Sequence, residues 1–240
     1  WHKLCYIGKT SRGIGGDTVA PNKGPFIFVA CSEIQELLGK RAEDERRFVE
    51  LLEEVPLDSI YYHTHSFFLR HHYIPGAYSN DFAQWVATQV RDLVLGERLA
   101  VIDPFEFKNL EALREELISI IDDHLSRTSV VPRVIFGKPF FFKQSRIIEV
   151  PTGIQVRTLQ EFRDALAEVD VSAIYYHMFE ARIRLPREES DFSFWIKETL
   201  GMPELSDKIK AMNPYIGNLE RLRSVLLVAC DEFLGKAGTA

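Results

Sequence analysis

Apolar and aromatic positions fall in the same order twice along the chain. A run opened by a proline, Phe26-Ile27-Phe28-Val29, precedes Phe48, Leu52 and Val55; a second, Phe140-Phe141-Phe142, precedes Phe162, Leu166 and Val169. The runs suit short buried strands, and the three-to-four-residue spacing after each suits an amphipathic helix. Thr158 followed by Glu161 is a capping box, in which hydroxyl and carboxylate satisfy backbone donors at a helix start. Asp58 and Ser172 stand before Ile60 and Ile174 as candidate N-caps. A helix is read from each, although the alternation of Tyr175, His177, Phe179, Ala181 and Ile183 would also suit a strand. Asn80 and Ser190 should cap helices carrying Phe82 and Trp85, or Phe192 and Trp195. Asn109 and Asn218 should cap the last long helix of each half, the first with Leu110, Leu113, Leu117, Ile120 and Ile121 as its apolar positions.

The correspondence is register-exact over long stretches. Gly24–Arg70 aligns without a gap to Lys138–Arg184 at an offset of 114, pairing Ile60-Tyr61-Tyr62-His63 with Ile174-Tyr175-Tyr176-His177. Four extra residues in the first copy bring the offset to 110, where Asp81-Phe82-x-x-Trp85 meets Asp191-Phe192-x-x-Trp195. At an offset of 109, Asn109-Leu110-Glu111-x-Leu113-Arg114 meets Asn218-Leu219-Glu220-x-Leu222-Arg223. A tandem duplication explains this order of aromatic, histidine and cap residues. The expected fold is mainly α with short β-strands (α+β), two helical units related by pseudo-twofold symmetry, their strands paired in one small sheet. The divisions are 1–23, an irregular N-terminal arm with Gly13, Gly15, Gly16 and Pro21; 24–137, unit 1; 138–234, unit 2; and 235–240, a tail.

Composition narrows the function classes. Of 240 residues 46% are hydrophobic and 27% charged, which fits a globular domain and not a disordered one. A net charge of −6 argues against general nucleic-acid binding. Ser59–Leu69 is the longest stretch without a charged residue, too short for a transmembrane segment. Cys5, Cys31 and Cys230 lack the spacing of a zinc ribbon or redox motif; Cys31 and Cys230 read as buried thiols, which suits a cytoplasmic location.

The motifs with chemical potential each have a plainer reading. Gly8-Lys9-Thr10 matches the end of a phosphate-binding loop, but Lys3 stands where its first glycine is needed. Arg12-Gly13-x-Gly15-Gly16 lacks the strand that precedes a dinucleotide loop. The repeated His63/Asp81 and His177/Asp191 have the residue types of a catalytic dyad, in which a carboxylate orients an imidazole. They equally suit a satisfied buried polar pair, and their presence in both copies favours that structural role. His63, His65, His71 and His72 are a weaker metal-ligand alternative, since residues two apart on a helix point to different sides. Tyr61, Tyr62, Phe82 and Trp85 fit core packing better than an aromatic cage. Glu43-Asp44-Glu45 and Glu188-Glu189 read as solvated charge runs. The copies differ most at His71–Ser79, making His71, His72, Tyr73 and Tyr78 the candidate contact for a ligand or partner.

The pattern Ser59-Ile60-Tyr61-Tyr62-His63-Thr64-His65, then Asn80-Asp81-Phe82-x-x-Trp85 and Leu95-Gly96-Glu97, resembles a family of bacterial and archaeal proteins carrying a domain of unknown function. Tyr175–Arg182 and Asp191-Phe192-Ser193 extend the resemblance into the second copy, so that it spans Gly24 to Leu234. It implies no activity, substrate or cofactor. The leading expectation is a non-enzymatic binding or assembly protein, without a cofactor, that associates with a protein partner or with itself. The alternatives are an enzyme using a His/Asp pair at the junction of the units and a metal-binding protein using the first-copy histidines.

Overall fold

The computed structural model describes residues 24–71, 78–181, 189–212 and 218–237. The first half comprises β1 (Phe26–Ala42), α1 (Glu45–Glu54), α2 (Leu57–Thr64), α3 (Phe67–Arg70), α4 (Asp81–Trp85), α5 (Leu93–Ala100) and α6 (Leu110–Ser126). The second comprises β2 (Phe140–Val156), α7 (Leu159–Glu168), α8 (Val171–Tyr175), α9 (Asp191–Glu198), α10 (Pro203–Lys210) and α11 (Leu219–Ala237). Helix α4 runs on into a π-helical turn, Val86–Val90, and α8 into another, Tyr176–Glu180. The protein is therefore mainly helical with a two-stranded antiparallel sheet. The N-terminal arm, with Cys5 and its glycine motifs, lies outside the described residues.

Most caps fall where the side chains announce them. Asn80, Ser190, Asn109 and Asn218 accept from backbone N–H groups three residues on, and Thr158/Glu161 forms the full capping box. Asp58 and Ser172 are not caps. Helix α2 starts directly after Pro56, whose ring disfavours helical backbone at Val55 and so separates it from α1, and Asp58 lies in the first turn. In α8 the cap is Asp170, which accepts from Ser172 N–H at 2.8 Å. The two tyrosine-rich segments are helical through Arg70 and Ala181, not strands.

Both strands continue well past their aromatic runs, to 17 residues each. They pair with Phe26 opposite Val156, Glu33 opposite Ile147 and Ala42 opposite Phe140. The aromatic ends thus point away from each other along one ribbon. Near each end the register slips, and Gly39 and Gly153 adopt φ of 70° and 75° there, a conformation that suits glycine.

The strand ends are exchanged between the cores. Phe26 and Phe28, from the first half, are buried among Phe162, Phe192 and Trp195 of the second. Phe140 and Phe142 are buried among Phe48, Phe82 and Trp85 of the first. Phe28 stacks on Phe162 at 5.5 Å and Phe142 on Phe48 at 5.6 Å between centroids. Each tryptophan donates to the segment leading into the strand it covers, Trp85 to the Lys138 carbonyl and Trp195 to that of Gly24.

Other repeated positions serve the same ends in both halves. Arg114 donates to the Glu53 and Val55 carbonyls and Arg223 to those of Leu166 and Ala167, closing the C-termini of α1 and α7. Gly96 is required by close approach: a Cβ there would lie 2.6 Å from the Ala87 Cβ.

Removing either exchanged ring should therefore loosen both halves together. We expect Phe28→Ala and Phe142→Ala each to cost about 3–5 kcal/mol in urea unfolding. Phe141→Ala, on the exposed face of the same strand, should cost about 0.5 kcal/mol or less. Equal costs for Phe141 and Phe142 would contradict the exchange.

Candidate functional site

The repeated histidine lies at the seam between each strand and the opposite core. His63 comes from α2 and is 3% exposed; His177 comes from the π-helical turn after α8 and is 4% exposed. His63 Nε2 accepts from Lys143 N–H at 3.0 Å, and its Nδ1 lies 2.8 Å from Asp81 Oδ2. His177 Nε2 accepts from Val29 N–H at 2.9 Å, and its Nδ1 lies 2.9 Å from Asp191 Oδ2. Because Nε2 is an acceptor, the proton of the neutral ring resides on Nδ1 and is donated to the aspartate.

Electrostatics favour that state in the first half. Burial pushes His63 below its ordinary value despite the Asp81 hydrogen bond. Burial alone would raise Asp81, but the His63 hydrogen bond and the Arg70 guanidinium, 2.5 Å away, outweigh it and hold the carboxyl below its usual range. Arg70 also lies over the Tyr62 ring at 3.9 Å. Asp81 is thus ionised beside a neutral imidazole with both nitrogens engaged. A ring in this state ties a strand to a helix and has no free lone pair for a substrate proton.

The two pairs do not converge on one centre, since each serves its own core. At the junction itself the Tyr61 hydroxyl meets the Tyr175 hydroxyl and Glu180. Burial, with the charge of Glu180, keeps both phenols protonated. Tyr61, Tyr62, Phe82 and Trp85 are buried in packing rather than arranged around an opening.

The remaining histidine candidates separate. His65 is buried between Tyr61 and Phe105, with Thr64 Oγ1 3.0 Å from Nδ1, and burial pushes it down to about 3. His71 is half-buried, stacked on Phe67 and donating to its carbonyl at 3.0 Å. His63, His65 and His71 do not assemble into a metal-ligand group among the described residues. His72 and Tyr73 lie outside the described residues, and Tyr78 packs against the first core. Cys31 and Cys230 are buried free thiols, both pushed up to about 12 by burial.

Two features escaped the sequence reading. Glu45, within a run that reads as solvated, is fully buried at the start of α1 and lies close to Asp92 and His124. The segment between the halves exposes Val130, Ile135 and Phe136. A buried carboxylate has no pattern of its own in a charge run, and an apolar loop residue is legible only when its surroundings are known.

Residues 23–231 match the model of a family described as "Family of unknown function (DUF5752)". The chain belongs to this family. Among solved structures it is similar to OrfY from Thermoproteus tenax, at 26% identity and a TM-score of 0.73, with 90% of this chain and 98% of that chain covered. Comparison with curated proteins returns no match. The family places the fold without supplying a reaction. Among the described residues no helix is long and apolar enough to cross a membrane.

Two tests follow from this geometry. Asp81→Ala and Asp191→Ala should each lower stability by about 1–3 kcal/mol in urea, because each leaves a buried imidazole proton without its acceptor. Unchanged midpoints would refute the clasp. His65 gives a pH signature. It is charged in the unfolded chain below about 6.5 but resists protonation in the fold, so its contribution is present above that pH. The contribution is lost as pH falls from 6.5 towards 3, by up to about 1.4 kcal/mol per unit. His65→Gln should flatten that slope in chemical-denaturation curves taken between pH 7 and 4.

Proposed function

We propose that this protein is a non-enzymatic binding protein, built from two copies of one helical unit, that presents an apolar surface on its first unit to a protein partner. The observation that carries this reading is the connecting segment. Phe136 is 88% exposed, Val130 75% and Ile135 74%.

These side chains project from anchored backbone. The Pro132 carbonyl accepts from Glu45 N–H at 3.2 Å, and Val134 N–H donates to the Glu43 carbonyl at 2.8 Å. Lys138 N–H donates to Gln89 Oε1 at 2.9 Å, and Trp85 holds the Lys138 carbonyl. Backbone fixed on both sides of Phe136 holds the ring towards solvent, where a large apolar side chain gains nothing by itself. Leu93 and Val94, at the start of α5, are also exposed; their counterparts at the start of α10 are Pro203 and Glu204. At the start of α5 the first unit thus exposes apolar residues where the second does not at the start of α10, as expected of a contact that only one copy has to make.

The saturated His/Asp pairs support the same reading, since they act as fasteners and leave no acid or base directed at a cavity. Two copies of a unit that exchange strand ends account for the repeated residues without a repeated reaction.

A photo-crosslinking residue placed at position 136 in living cells tests the proposal, with position 194 on the second unit as a control. A discrete product is expected from 136 and not from 194, and Ile135→Ser should reduce it while shifting the unfolding free energy by only about 0.5 kcal/mol. No discrete product from 136, or the same products from both positions, would overturn the reading. Dependence of the product on a second copy of this chain would identify the partner as itself.

A further inference from the structure

We propose that Glu45, Asp92 and His124 form a binding site for one divalent transition-metal cation. They come from three helices of the first half: Glu45 opens α1, Asp92 caps α5 and His124 lies in the last turn of α6. One donor atom from each lies within 4.8 Å of the other two, and they are the one such set of three among the described residues. Two carboxylates and an imidazole are borderline-to-hard donors of the kind that zinc, manganese and iron accept.

Helix dipoles account for only part of this cluster. Carboxylates at the starts of α1 and α5 and a histidine near the end of α6 are each favourably placed. Asp92 also caps α5 through Oδ1, which accepts from Leu95 N–H at 2.9 Å, and its Oδ2 lies 2.8 Å from His124 Nε2. Glu45 is the anomaly. It is 0% exposed, and neither carboxylate oxygen has a hydrogen-bond partner. A buried carboxyl group with both oxygens unmet costs free energy that a native fold ordinarily avoids.

The second half shows what these positions need for folding alone. The residue that opens α7 is Leu159, the residue before α10 is Met202, and the residue as far beyond Asn218 as His124 is beyond Asn109 is Phe233. All three pack in the second core. An apolar trio thus serves the architecture in one half, while the other keeps two acids and a histidine with an unmet carboxylate at the base. Asp92 and His124 are only partly buried, which leaves the group accessible from solvent.

The test uses the whole chain, stripped with a chelator and titrated with zinc chloride or manganese chloride in a calorimeter, with magnesium chloride as the comparison. One zinc or manganese ion per chain should bind and raise the melting temperature. Glu45→Gln and His124→Phe should weaken that binding by about a hundredfold or more. In the absence of metal Glu45→Gln should melt no lower than the parent, since Gln removes a buried acid whose oxygens have no hydrogen-bond partner. If the parent binds neither ion, or if both variants bind as tightly as the parent, the assignment is wrong. A metal-free Glu45→Gln variant that melts well below the parent would likewise overturn it, because the buried carboxylate would then be structural.

Discussion

A neutral buried imidazole with its proton on Nδ1 needs a donor for Nε2, and in each half that donor is a backbone N–H from the other half's strand. His63 takes it from Lys143 and His177 from Val29. This bond fixes where the strand ends lie, and with them the four phenylalanines that complete the opposite cores. The aspartates hold the rings in the tautomer that makes the bond possible. Few other arrangements would satisfy a buried imidazole and a strand edge at once, because each unpaired partner would lose its hydrogen bond to water without replacement.

The exchange also explains why the two halves should unfold together. Neither core is complete without aromatic side chains supplied across the ribbon. The polar junction around Tyr61, Tyr175 and Glu180 adds a second link, with phenols that burial keeps protonated.

What distinguishes the halves is where a task beyond folding has room. The first carries exposed apolar side chains on an anchored connecting segment and a buried acid beside Asp92 and His124. The second places Leu159, Met202 and Phe233 in its core at the corresponding positions. The same segment joins both first-half features, since Glu45 N–H donates to the Pro132 carbonyl.

The sequence by itself determined the helix boundaries marked by Asn80, Ser190, Asn109, Asn218 and Thr158, because a cap acts through neighbours a few residues away. It also pointed to the pairing of His63 and His177 with Asp81 and Asp191, since the same residues recur in the same order in both halves. It did not reveal that the strands run on to Ala42 and Val156, because the residues beyond the aromatic runs are mostly solvent-exposed and show no buried pattern. Nor did it reveal which core each phenylalanine enters, because a hydrophobic side chain records that it is buried and not against what. Only the tertiary structure decided that exchange, and only it separated Glu45, buried without a partner, from exposed Glu43 two residues before it. Burial of a charge is a property of every element packed around it, and no local pattern carries that information.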